Sequence, residues 1–132
     1  MSLLIGIHIQ DVLDKNGEIQ EKVKNRIYPI VITAGTPAYP FIVYQNNGTQ
    51  QYETKDGNIE DTVYVSVAIV SKTYDEAIRL GQTVRYAFEG VTRDYEEFRV
   101  LDCSFTGSSE EYMTDIDSFI ITVDLSFKTL DL

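Results

Sequence analysis

Apolar residues recur along this chain with two periods, and the change from one to the other divides it. Across residues 3–13, Leu3, Ile5, Ile9, Val12 and Leu13 fall at helical intervals, with His8 and Asp11 among them and Gly6 as a weak point. This spacing predicts a helix ending near Asn16-Gly17, two residues that tolerate positive φ. Residues 18–25 carry Ile19 and Val23 on a second, shorter helical piece. Pro29, Gly35, Pro37 and Pro40 then interrupt regular structure.

Past Pro40 the period falls to two. Phe41, Ile42, Val43 and Tyr44 have the β-branched and aromatic composition of a strand. In residues 62–71, Val63, Val65, Val67 and Ile69 alternate with Tyr64, Ser66, Ala68 and Val70. Between these strands lie Asn47-Gly48 and Asp56-Gly57, both favoured hairpin-turn pairs. Either the strands run on to a tip at Asp56-Gly57 or a polar loop spans 46–61; the turn chemistry favours the long hairpin. Thr73 with Glu76 forms a capping-box pair that starts a helix. Tyr74, Ala77, Ile78, Gly81, Val84, Phe88 and Val91 form its apolar stripe, and Gly90 stands where a C′ glycine would end it.

Residues 98–105 alternate loosely and 118–127 strictly, with Phe119, Ile121, Val123, Leu125 and Phe127 sharing one face. The polar residues 106–117 connect them as a loop or a wide hairpin. The order helix, strand, strand, helix, strand, strand predicts an α+β fold, an antiparallel four-stranded sheet with helices packed on one face. No repeat or linker divides the 132 residues, so 1–132 reads as one domain.

Charge narrows the function. Twenty-one acidic against 11 basic side chains leave a formal charge of −10, which argues against sequence-reading nucleic-acid binding because phosphate contacts need Lys and Arg. The longest apolar runs are a few residues, so no membrane-spanning segment is expected, and no basic-then-apolar leader opens the sequence. Cys103, the single cysteine, cannot form an internal disulfide and fits a reducing compartment.

Candidate chemistry is thin. His8 sits in an apolar helical stretch with no partner motif and reads as a surface or half-buried structural histidine. Cys103 lies in a predicted strand and reads as a small apolar filler. No G-x-S-x-G elbow, P-loop or G-x-G-x-x-G is present. The pairs Glu60-Asp61, Glu96-Glu97, Glu110-Glu111 and Asp115 with Asp117 offer oxygen ligands, yet none follows the spaced calcium-loop pattern. Asn47-Gly48-Thr49 has the form of a glycosylation acceptor but reads better as a turn. The sequence therefore predicts no catalytic residue, cofactor or metal. Nine tyrosines stand beside no tryptophan, and tyrosine is common at protein interfaces. Tyr64 is out of phase with Val63 and Val65, so it shares the second sheet face with Ala68 and Val70. That face either meets another subunit or is covered by loops.

Several motifs, in order, resemble the phage tail completion, or tail terminator, family of long-tailed phages and prophages. Arg26-Ile27-Tyr28-Pro29 is similar to the stretch after that family's first helix, and Pro40-Phe41-Ile42-Val43-Tyr44 to its following strand. Tyr52 through Asp56-Gly57 resembles its polar hairpin, and Val63, Val65 and Val67 its alternating strand. Thr73-Tyr74-Asp75-Glu76-Ala77 with Leu80 and Val84 resembles its helix, and the last strand matches as well; together these cover residues 3–128. Gly6, inside the first helix, departs from the pattern.

The resemblance implies a structural protein without catalytic residues. It implies a ring of copies, typically a hexamer, that caps the head-proximal end of the tail tube, ends tube polymerisation and joins tail to head. Implied partners are further copies of the chain, the tail tube protein and a head-completion or connector protein. DNA would only pass through the lumen, past acidic side chains that repel phosphate. Its place would be the tail of the virion, and the host cytoplasm during assembly. Tyr44, Tyr52, Asp56, Gly57 and Tyr64 are the residues expected to meet partners. The alternatives are another head-tail connector or adaptor, or a small cytoplasmic ligand- or metal-binding α+β domain.

Overall fold

The structure is a computed structural model. It describes residues 2–32, 35, 37–53 and 59–132, with Ser2, Tyr52, Glu53 and Ile59 described by backbone alone. A 3-10 turn at Ser2–Leu4 leads into α1 (Ile5–Lys15) and α2 (Gly17–Val23). There follow β1 (Ile27–Pro29), β2 (Phe41–Glu53), β3 (Ile59–Ser71), α3 (Tyr74–Phe88), β4 (Arg93–Asp94), β5 (Phe98–Met113) and β6 (Ser118–Asp131).

The α+β class and the two hairpins agree with the sequence reading, but among the described residues the sheet has six strands in the order β1-β2-β3-β6-β5-β4, not four. The two additions are the short edge strands β1 and β4. A strand of three or two residues is too short to show a period. β1, which also ends on Pro29, pairs parallel with β2 at Ile42, Val43 and Tyr44, so the sheet is not wholly antiparallel.

The β2–β3 strands run on to Glu53 and Ile59 as the long-hairpin reading requires; its expected tip at Asp56-Gly57 lies outside the described residues. Asn47-Gly48 is not a turn. The pairing passes from Asn46↔Val65 to Gly48↔Tyr64, which makes Asn47 the extra residue of a β-bulge. The stretch 106–117 is also no loop, because β5 continues to Met113 and turns tightly into β6. Two bulges, at Leu101 and Thr106, each shift its side chains to the opposite face. This explains the loose alternation of residues 98–105.

One sheet face is covered by helices. Val63, Val65, Val67 and Ile69 of β3 lie opposite Phe127, Leu125, Val123 and Ile121 of β6. They pack against Ile5, Ile9 and Leu13 of α1, Ile19 and Val23 of α2, and Leu80, Val84 and Phe88 of α3. Each such side chain, taken fully out of water, contributes ~1.5–3 kcal/mol, so this layer dominates stability. α3 crosses β6 closely: a Cβ on Gly81 would lie 3.0 Å from Ile121 Cγ2. Asn16 has extended rather than left-handed backbone; it ends α1 and its side chain accepts from Ile19 N at 3.1 Å, capping α2.

Candidate assembly surfaces

The sheet ends in two open edges. Among the described residues, β1 flanks only the start of β2, so the outer edge of β2 is unpaired from Gln45 to Glu53. On the other side β4 covers only Arg99 and Val100, and Gly90 N donates to the Cys103 carbonyl at 3.0 Å. Among the described residues the outer edge of β5 is unpaired from Ser104 to Met113. Neither 45–52 nor 104–109 contains a charged residue or a proline. Solitary sheet edges in natural proteins are usually guarded by such residues.

Exposed apolar side chains lie at both edges. Beside the start of the β2 edge, Leu3, Ile5, Ile9, Pro29 and Ile30 border a notch of about 220 Å³ whose floor includes Tyr44 and Val65. Leu3 and Ile30 are each 68% exposed. Ile30 has φ 63, a left-handed conformation that costs a β-branched residue strain. The tip of β5 carries Tyr112, Met113 and Ile116, all exposed. Tyr112 packs on Phe119 with ring centroids 5.0 Å apart, and its hydroxyl bonds the Asp117 carboxylate.

The residues expected to meet partners do not form one cluster. Tyr44 lies on the helix-covered face, buried in the single chain, and its hydroxyl donates to Gln10 Oε1 at 3.2 Å. Tyr64 projects from the opposite, helix-free face and is 41% exposed. Tyr52 is a backbone position on the open β2 edge, and Asp56 and Gly57 lie outside the described residues. Val70 on that helix-free face is buried, and Phe41 beside it packs edge-on against Tyr28 at 6.3 Å. Loops and aromatic rings thus cover one end of this face, and Tyr64 stands beyond them. Sequence reading missed the β5 edge and the Leu3–Ile30 notch. The available signals were the uncharged runs 45–52 and 104–109.

The polar groups inside the fold serve structure. His8 is fully buried, deeper than the sequence suggested, amid the rings of Phe88, Tyr95 and Phe127. The Tyr95 hydroxyl donates to Asp11 Oδ2 at 2.9 Å and therefore accepts from His8 Nδ1–H at 2.7 Å. This assigns the tautomer and leaves His8 Nε2 without a partner among the described residues. Arg93 and Lys15 reach the same carboxylate at 3.1 and 2.6 Å. Burial, with Arg93 adding to it, lowers the His8 pKa to about 4, so the imidazole is neutral. The Lys15 contact is the main cause that holds the Asp11 carboxyl below its usual value. Cys103 is a buried core residue whose thiol is pushed up to about 12, chiefly by desolvation. Among the described residues no three His, Cys, Asp or Glu side chains converge. Glu110 and Glu111, neighbours in sequence, point to opposite faces of the sheet.

The fold has a counterpart among solved structures. A chain of the structure titled "Virion of native gene transfer agent (GTA) particle" superposes with TM-score 0.81 at 11% sequence identity, covering 94% of this chain and 92% of that one. At that identity the likeness is one of fold. No curated protein sequence matches the chain. A family match defines the class, a structural protein of phage tails. The chain belongs to the family described as Tail completion protein gp17, whose profile matches residues 8–129.

Proposed function

We propose that this protein caps the head-proximal end of the tail tube as a ring, ends tube polymerisation and joins the tail to the head. The observation that carries this reading is the pair of unlike open edges on opposite sides of one sheet. A surface that binds a different surface on the next copy makes a heterologous contact, and such contacts generate closed rings when the rotation closes. The resemblance favours six copies, the tail tube protein on one side and a head-completion or connector protein on the other. Such a protein belongs to the virion tail and assembles in the host cytoplasm.

The helix-free sheet face carries Glu60, Asp94, Asp102, Glu111 and Asp124 against Arg99 and Lys128. This matches the overall charge of −10 and suits a channel that DNA passes without being held. In this reading Tyr64, Tyr52, Asp56 and Gly57 meet a neighbouring component, whereas Tyr44 supports the Leu3–Ile30 notch.

Light scattering on the purified chain, alone and with tail-tube protein, tests the reading together with electron microscopy. The expected result is a discrete ring-sized species seated at one end of the tubes. A chain that stays monomeric and leaves tube ends bare would contradict it.

A further inference from the structure

We infer that the partner of the open β5 edge is the open β2 edge of a second copy of this chain, joined as one continuous antiparallel sheet. The inference deepens the ring reading and rests on it for closure, but the pairing is tested separately.

Strand direction is the first support. β2, β3, β6 and β5 alternate in direction, so β2 and β5 run opposite ways on the two sides of the sheet. A second copy in the same orientation, with its helices on the same face, brings its β2 antiparallel to β5 of the first. No flip of the subunit is needed, which is the condition for a head-to-tail chain of copies.

The faces agree through one register. With Tyr112 opposite Asn46, Glu110 falls opposite Thr49, Ser109 opposite Gln50 and Ser108 opposite Gln51. In each pair both residues belong to the same sheet face in their own copy. Asn46, Thr49 and Gln51 share the face of Val65, Val63 and Asp61. Ser108, Glu110 and Tyr112 share that of Val123, Ile121 and Phe119. The bulge residues Asn47 and Thr106 are the skipped positions. Glu110 and Glu111 meet only Thr49 and Gly48, so two edges of a strongly acidic chain meet without opposing like charges.

The apolar ends also meet. Antiparallel pairing puts the C-terminal end of β5 against the start of the β2 edge. Tyr112, on the helix-covered face, then comes to the notch where Leu3 and the strained Ile30 project into solvent. Relative to β6, Gln50 lies level with Lys128 and Ser109 level with Thr122, so each copy is offset by six residues from the last. A stagger of this kind is what a sheet needs in order to close on itself.

Cysteine crosslinking on the full chain, in a Cys103→Ala background, tests the pairing. Gln50→Cys with Ser109→Cys, exposed on the same face, is expected to give an oxidised ladder of covalent multimers. Gln51→Cys with Ser109→Cys, on opposite faces, should give at least tenfold less. Gln50→Lys with Ser109→Lys should keep the thermal melting temperature of the monomer and abolish self-association. Rings seen by electron microscopy without the same-face crosslink would overturn the pairing and leave the ring reading intact. The crosslink without any capping of tubes would support the pairing and contradict the ring reading. A chain monomeric at every concentration, with neither crosslinks nor rings, overturns both.

Discussion

His8 shows what a buried polar residue demands of its surroundings. Its Nδ1–H has Tyr95, Tyr95 has Asp11, and Asp11 has Arg93 and Lys15, so the chain of partners ends on cations near solvent. The folded-state pKa of about 4 lies below the ordinary 6.5, so the unfolded chain takes up this proton first as pH falls. Stability from this group is intact above pH 6.5 and drains away between 6.5 and 4, by roughly 3 kcal/mol in all. Asp11, whose pKa is lowered, acts in the same direction but only below the ordinary carboxylate range. Thermal melts from pH 7 to 4 should show this slope, and His8→Phe should flatten it. The His8 ring resonances should not titrate above pH 5, and titration near 6.5 would contradict the buried neutral form.

Two glycines separate by the same local reasoning. A Cβ on Gly6 would reach the Tyr44 ring at 3.7 Å, an ordinary contact, so Gly6→Ala should stabilise the helix start by about 0.5 kcal/mol in a denaturant titration. At Gly81 the same atom would lie 3.0 Å from Ile121, and Gly81→Leu should cost about 2–3 kcal/mol by overpacking.

At the scale of elements, α3 begins with a relay that extends the sequence motif. Thr73 Oγ1 accepts from Glu76 N at 3.4 Å, but the Glu76 carboxylate accepts from the Ser71 hydroxyl at 2.7 Å rather than reaching back to Thr73. Ser71 Oγ in turn accepts from Thr73 N at 3.2 Å. Ser71→Ala removes two of these bonds at a fully buried site, so it should destabilise by about 1–2 kcal/mol, at least as much as Thr73→Ala. Equal melting of Ser71→Ala and wild type would remove Ser71 from the cap.

Legibility in the sequence followed length and regularity. α3 was readable from Thr73 to Gly90 because cap, stripe and C′ glycine agree, and Gly90 has the left-handed φ of 75. β3 and β6 were readable because their alternation is unbroken. β5 was half hidden because the bulges at Leu101 and Thr106 invert its pattern, so its outer half read as a connection. β1 and β4 left no pattern at all, since their pairing is decided by tertiary placement. The assembly surfaces were harder still. An open edge is a property of what fails to lie beside a strand, and only the fold shows that 45–52 and 104–109 face outward.

For the molecule as a whole, one sheet carries three requirements at once. Its helix-covered face supplies the core, its helix-free face bears acidic groups, and its two edges carry the uncharged runs 45–52 and 104–109 and are unlike each other. Charge and edges make different predictions. Lysines on the edges should block assembly while the monomer still folds. Lysine at Asp124, by contrast, should leave assembly intact and slow genome passage, measured as infectious yield per assembled particle.

The proposed ring should end tube growth. The direct measurement is the length distribution of tail tubes over time after the purified protein is added to polymerising tube subunits. Growth should halt at once, with lengths frozen at their value on addition and a ring visible at one end. Tubes that lengthen as fast as in its absence would contradict a terminating role.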